Sequence, residues 1–164
     1  MRIAGLVQDS IVDGPGFRFT VFTQGCPHKC PGCHNPETHD PLGGSEMTAG
    51  EVISKMLSNP LTDGLTLSGG EPFSQAADCA AIAAAAQKNG LNVWAYSGHT
   101  FEELLELSKS DNGIAALLAQ IDVLVDGPFI LSERTLSLSW RGSRNQRLID
   151  VKKSLVEEHA VLHE

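Results

Sequence analysis

The sequence has no apolar run long enough to cross a bilayer, and its N-terminus lacks the charged-then-apolar layout of a secretory signal. The expected setting is therefore the cytoplasm, where thiols stay reduced and clustered cysteines read as metal ligands, not disulfides. Positive charge is in short supply: Lys and Arg number 12 against 20 Asp and Glu, a net charge of −8. That balance argues against non-specific binding to nucleic acid or to an anionic membrane. No internal repeat, linker or low-complexity segment divides the chain, so its 164 residues read as a single domain, 1–164, with room for a proper core. The remaining composition, 41% hydrophobic and 20% charged, is that of an ordinary soluble globular protein.

Cysteine is scarce as well, and it is concentrated. Three of the 4 cysteines (Cys26, Cys30 and Cys33) fall in the stretch Gly25-Cys26-Pro27-His28-Lys29-Cys30-Pro31-Gly32-Cys33-His34-Asn35, at a C-x3-C-x2-C spacing. Prolines and glycines fill the gaps, so the stretch is a loop wrapped around something and not a helix or strand. Thiolates this close repel one another unless a cation shares them, which points to a metal or an iron–sulfur cluster. A closed tetrahedral zinc site wants four ligands, commonly as two distant C-x2-C pairs, and a four-iron cluster normally takes four cysteines. With only three local ligands, a cubane held by this loop leaves one iron open to a substrate. The competing reading is a Cys3His zinc loop completed by His28 or His34. The fourth cysteine, Cys79, lies between apolar neighbours in a helical stretch and reads as a buried structural thiol.

Apolar periodicity and turn residues organise the rest. An N-terminal arm, 1–16, holds a short strand and the turn Asp13-Gly14-Pro15-Gly16. A confident strand over 17–23 then delivers the chain into the cysteine loop, and a polar surface loop covers 34–46. Capping boxes at Thr48-x-x-Glu51 and Thr100-x-x-Glu103 open two helices, and two more are expected near 75–89 and 114–120. Strands are expected at 64–67, 91–96, 122–126 and 148–151, with a frayed tail from about 154. The alternation of strand, loop and helix predicts an α/β fold with a parallel sheet and right-handed crossovers. There are too few units to close an eight-stranded barrel, so an open partial (β/α) barrel fits best. In such sheets ligands sit at the C-terminal ends of the strands, and there the sequence places the cysteine loop, Ser68-Gly69-Gly70-Glu71-Pro72, Ser97-Gly98 and Asp126. The Gly-Gly pair lets backbone approach a ligand closely, beside a carboxylate able to accept from an ammonium.

The cysteine loop resembles the signature of the radical S-adenosylmethionine (SAM) superfamily, and Ser68 to Pro72 resembles that superfamily's GGEP motif. The resemblance implies a [4Fe-4S] cluster on Cys26, Cys30 and Cys33, with SAM chelating the fourth iron. It also implies cofactor contacts from Gly32, Cys33, His34, Ser68, Gly69, Gly70, Glu71, Ser97 and Asp126, with Glu71 serving the methionyl amino group and Asp126, at a strand end, helping bind a cation or facing the incoming glycine loop. Here the sequence departs from the pattern: the residue before the third cysteine is usually aromatic and contacts adenine, whereas this chain has Gly32, leaving adenine to the Gly32 backbone or to other residues. Asp13-Gly14-Pro15-Gly16-x-Arg18 is similar to the start of the glycyl-radical-enzyme activases. Trp140-Arg141-Gly142-Ser143-x-Asn145-Gln146, Tyr96 to Thr100 and Asp122 to Gly127 are similar to one branch of them, the branch serving anaerobic ribonucleotide reduction.

The implied chemistry is reductive cleavage of SAM to methionine and a 5′-deoxyadenosyl radical. That radical takes a hydrogen atom from a glycine of the partner, the catalytic subunit of an anaerobic ribonucleoside-triphosphate reductase. The electron comes from a donor such as flavodoxin or ferredoxin. No side chain need act as acid or base. Two alternatives stay open: activation of another glycyl radical enzyme of the pyruvate formate-lyase type, and a non-catalytic zinc- or cluster-binding protein. The 140–147 loop reads as a docking surface, as a support for the SAM carboxylate through its arginines, or as a solvated basic surface. On this reading Gly70→Val blocks SAM while leaving the iron in place.

Overall fold

Alternate residues of a strand face opposite sides of its sheet, and in this chain the two sides are chemically unlike. Phe19 and Val21, Leu65 and Leu67, Val93 and Ala95, Leu124 and Ile149 all point to one side, where they join the main hydrophobic core. Arg18, Thr20, Thr66, Trp94, Val123 and Val125 point to the other, equally buried but largely polar or aromatic. A computed structural model describes all 164 residues. Its strands are β1 (Arg2–Ser10), β2 (Arg18–Thr23), β3 (Ser45–Glu46), β4 (Gly64–Gly69), β5 (Asn92–Tyr96), β6 (Val123–Asp126) and β7 (Arg147–Asp150), forming one sheet in the order β3-β1-β2-β4-β5-β6-β7. The helices are α1 (Ala49–Leu57), α2 (Ala76–Lys88), α3 (Phe101–Ser108), α4 (Asn112–Leu118) and α5 (Val151–Glu157).

Each helix contributes to the one core: Val52 and Met56 from α1, the alanine-rich face of α2, Phe101 and Leu104 from α3, Leu117 and Leu118 from α4, Val151 from α5. The helices thus cover one side of the sheet and leave the other free for a site. The N-cap half of each expected capping box forms, without the return bond from the Glu side chain. Thr48 Oγ1 accepts from the Glu51 amide at 3.1 Å, and Thr100 Oγ1 from the Glu103 amide at 3.2 Å. Cys79 is wholly buried in α2 on the helix side of the sheet. No helix is long and apolar enough to cross a membrane.

The α/β class is as predicted, but the sheet is mixed. β2, β4, β5 and β6 are parallel, while β1, β3 and β7 pair antiparallel at the flanks. The reason for β7 lies in its connection: residues 127–146 form no α-helix, so the chain returns alongside β6 in the opposite sense without a crossover. The tail also differs from the expected frayed end. Asp150 caps α5 through the Lys153 amide at 3.1 Å, and the segment beyond it pairs back onto β7. The Asp150 amide donates to Val161 O at 2.8 Å and the His163 amide to Leu148 O at 2.8 Å, covering an otherwise open sheet edge.

Arg18 shows how the uncovered face is kept in order. Its guanidinium is fully buried and donates to Thr66 Oγ1 at 2.7 Å, Pro15 O at 2.9 Å and Leu65 O at 2.8 Å. Burial pulls Arg18 down to about 10, still cationic at neutral pH. Those bonds fasten the Asp13–Gly16 turn over the start of β2, and the cation lies 5.7 Å from the Trp94 ring. On the opposite side, Leu67→Ala opens a hole in the main core. It should cost about 2–5 kcal/mol, read as a lowered urea midpoint at an unchanged slope.

Candidate functional site

Backbone hydrogen bonds join the C-terminal ends of the parallel strands into a continuous rim. Gly70 N donates to Thr23 O at 2.7 Å and Glu71 N to Gly25 O at 2.8 Å, tying the turn after β4 to the end of β2. Ser97 N donates to Val125 O at 3.0 Å and Gly127 N to His99 O at 2.9 Å, tying β5 to β6. A cavity of about 520 Å³ opens along this rim on the helix-free side, a volume in the usual small-molecule range. Cys26, Cys30 and Cys33 all line it, together with Ser68, Gly69, Gly70 and Ser97.

The three cysteines are half-buried free thiols. The loop bearing them turns at Lys29 and Gly32, both at positive φ, with Cys33 N donating to Cys30 O at 3.1 Å. Burial pushes the Cys26 thiol up, and the nearby Glu71 carboxylate and Cys30 push it further. A cation beside Cys26 would favour its thiolate against that push. Cys79 is on the far side of the sheet and supplies no fourth sulfur. Three free thiols lining one open cavity fit a four-iron cluster with one iron left for an exogenous ligand. Of the two histidines of the zinc reading, His28 is committed elsewhere by a hydrogen bond. His28 Nε2 is 2.6 Å from Glu71 Oε1, which holds its imidazole protonated above the ordinary histidine range. His34 stands edge-on to Phe129 at 5.3 Å, on the cavity wall.

Of the residues expected to contact a cofactor, Cys33, His34, Ser68, Gly69, Gly70 and Ser97 line the cavity, whereas Gly32, Glu71 and Asp126 do not. Glu71 is fully buried, and its own chain saturates it. Oε1 accepts from His28 and from Gly98 N at 2.8 Å, Oε2 accepts from Phe73 N at 3.0 Å, and Ser97 Oγ lies 2.9 and 3.0 Å from the two oxygens. A carboxylate has about four acceptor positions, so none is left over for an ammonium group from outside.

Asp126 is likewise engaged. Its Oδ2 accepts from the first amide of α3, Phe101 N, at 2.8 Å, and Arg147 grips both oxygens at 3.1 and 2.6 Å while also reaching Glu102. That bidentate grip, extended to Glu102, raises the Arg147 guanidinium further above its ordinary range. Beside Gly32, Leu131 of the 127–146 segment occupies the volume that a side chain at position 32 would need.

The 140–147 loop is mostly occupied with its own folding. Gln146 Oε1 accepts from Gly142 N at 2.8 Å, Asn145 Nδ2 donates to Pro128 O at 2.8 Å, and Trp140 packs edge-on against Trp94 at 5.9 Å. Arg144 alone of its arginines is exposed, Arg141 and Arg147 being half-buried. Sequence reasoning missed the His28–Glu71 and Asp126–Arg147 pairs, since nothing local in the sequence couples positions so far apart.

Comparison with known proteins agrees with this geometry. A family model described as a 4Fe-4S single cluster domain matches residues 12–149. The chain is similar to the anaerobic ribonucleoside-triphosphate reductase-activating protein of Vibrio cholerae, 38% identical over 147 residues that span 83% of this chain and 89% of the relative. The protein of the same name from Escherichia coli K12 is 34% identical over 146 residues, spanning 83% and 90% of the two chains. That of Enterobacteria phage T4 is 34% identical over 143 residues, spanning 84% and 86%.

The two glycines of the turn are required by the chain itself. A Cβ on Gly70 would collide with the Gly25 backbone, and one on Gly69 with the backbone of Phe22 and Thr23. Since Gly25 adjoins Cys26, Gly70→Val should displace the cysteine loop. The structure therefore replaces the expectation of intact iron with a different outcome: Gly70→Val should retain clearly less iron per chain than wild type after anaerobic reconstitution, measured by iron and sulfide assay of the folded protein.

Proposed function

We propose, because the chain belongs to the family of anaerobic ribonucleoside-triphosphate reductase-activating proteins, that it is the radical SAM activase of such a reductase and installs a glycyl radical on its catalytic subunit. The observation that carries this reading is the incomplete ligand set: three free thiols and no fourth sulfur, opening on a cavity walled by Ser68, Gly69, Gly70 and Ser97. When bound, the cluster and SAM supply one-electron reduction and hydrogen-atom abstraction. The chain's own residues bind and shield. Cys26, Cys30 and Cys33 hold the cluster, and the Ser68–Gly70 turn with Ser97 borders the SAM. Phe129, Gly142 and Gln146 of the 127–146 segment wall the cavity on another side and limit water.

Helices on one side of the sheet and a cavity on the other support reading the fold as an open partial (β/α) barrel of the radical SAM type. The setting on this reading is the cytoplasm, with a flavodoxin- or ferredoxin-like donor providing the electron.

Anaerobic reconstitution should give about four irons and four sulfides per chain. Alanine at Cys26, Cys30 or Cys33 should abolish the cluster, while Cys79→Ala keeps it. With SAM, a reductant and the anaerobic reductase, electron paramagnetic resonance should show a glycyl doublet whose splitting changes when the target glycine is α-deuterated. One zinc per chain with no iron uptake would sink the cluster. A doublet produced only in a formate-lyase-type partner would move the substrate and leave the chemistry standing.

A further inference from the structure

The cysteine loop is fastened to the sheet at a single side chain. From Pro27 to Gly32 only one hydrogen bond leaves the loop, the contact of His28 Nε2 with Glu71 Oε1 at 2.6 Å. That distance is in the range of charge-assisted bonds. The His28 side chain is turned inward, 17% exposed, and the carboxylate it meets is completely buried. The neighbouring element is shaped to admit it. A Cβ on Gly98 would overlap the His28 ring, so the glycine after Ser97 is what allows the imidazole to reach Glu71. His99 then closes on the ring edge-to-face at 4.6 Å. Three segments, following β2, β4 and β5, thus converge on this contact.

His28, Glu71 and His99 have side-chain ligand atoms within 4.8 Å of one another, a grouping that can also describe a metal site. Glu71 argues against that use. Its acceptor positions are filled by Phe73 N, Gly98 N, Ser97 Oγ and His28, so a cation there would have to displace existing hydrogen bonds.

We propose that His28 is a positioning residue: by bonding Glu71 it clasps the cysteine loop to the Ser68–Pro72 turn, fixing the cluster site and the SAM site in one relative geometry. This rests on the radical SAM reading above. The backbone bonds at Gly70 and Glu71 secure the turn to the end of β2 without His28, so the fold and the three thiols survive its loss. What is lost is the setting of residues 27–32 against the turn, and with it the fit of SAM to an iron that those residues hold.

The test uses the reconstituted full chain with His28→Ala and with His28→Gln, whose amide nitrogen keeps a donor near the place of Nε2. His28→Ala should take up wild-type iron and sulfide yet bind SAM about tenfold more weakly in equilibrium dialysis. The change that SAM causes in the electron paramagnetic resonance spectrum of the reduced cluster should shrink in parallel. His28→Gln should recover most of both. Wild-type SAM affinity with an unchanged spectral response in His28→Ala overturns the clasp, and so does loss of iron in both variants, which would make His28 a ligand or a folding residue. If wild type itself holds four irons but binds no SAM, the radical SAM reading falls first and the clasp with it.

Discussion

A carboxylate with no solvent contact must be given hydrogen bonds by its own chain, and the burial of Glu71 is the constraint to which the rim of this protein answers. Its donors come from three places: His28 in the cysteine loop, Phe73 in its own turn, and Ser97 and Gly98 after β5. Removing any one leaves a buried charge under-bonded, so these segments hold position as a set. Geometry at the cysteines is thereby tied to geometry two strands away. Ser97 contributes twice, because its hydroxyl, donating to Glu71, also accepts from His99 N at 3.0 Å and so shapes the turn into α3.

The unequal faces of the sheet explain why the cavity lies where it does. Helices α1 to α5 take up the aliphatic face, and with it nearly all the buried apolar side chains. The opposite face carries Thr20, Thr66, Arg18 and Trp94, which pair with one another and with the N-terminal turn. Asp13 Oδ2 accepts from Thr20 and its carbonyl from Thr66, so the arm closes the lower end of that face and the upper end stays open. The buried apolar cluster on this side is small, only Trp94, Val123 and Val125. The β1–β2 hairpin and the 127–146 segment border the hollow without filling it.

What could be read from the sequence was what depends on neighbours in sequence. The capping boxes at Thr48 and Thr100, the helix stop at Gly90, the strand through Phe19 and Val21 and the burial of Cys79 are all local consequences of spacing or composition. The common location of the motifs was also legible, because parallel strands carry their ligands at one end. The edges were not. The direction of β7 and the docking of residues 161–163 onto it depend on how a helix-free segment folds back, which apolar periodicity does not encode. Side-chain partners were least legible. Glu71 was read as facing a ligand because it adjoins a Gly-Gly pair that lets backbone approach one, and Asp126 because it ends a strand; the side chains that take both carboxylates lie 21 to 43 positions away. Leu131 beside Gly32 belongs to the same class.

The register between β2 and β4 unites these observations. Phe19 pairs with Leu65, Val21 with Leu67 and Thr23 with Gly69, so both strands turn the same alternate residues to the helix layer. A slip of one residue would turn Arg18, Thr20 and Phe22 out of step with Thr66 and Ser68 and drive polar side chains into an aliphatic core. The core therefore excludes that slip. In the allowed register the strands end level, and Gly70 lies so close to Gly25 that a Cβ on Gly70 would overlap the Gly25 backbone. Three residues after Gly25, His28 is in reach of Glu71. The alignment of a metal-binding loop with the turn beside it thus follows from how aliphatic side chains pack on the opposite face of the sheet, where no ligand binds.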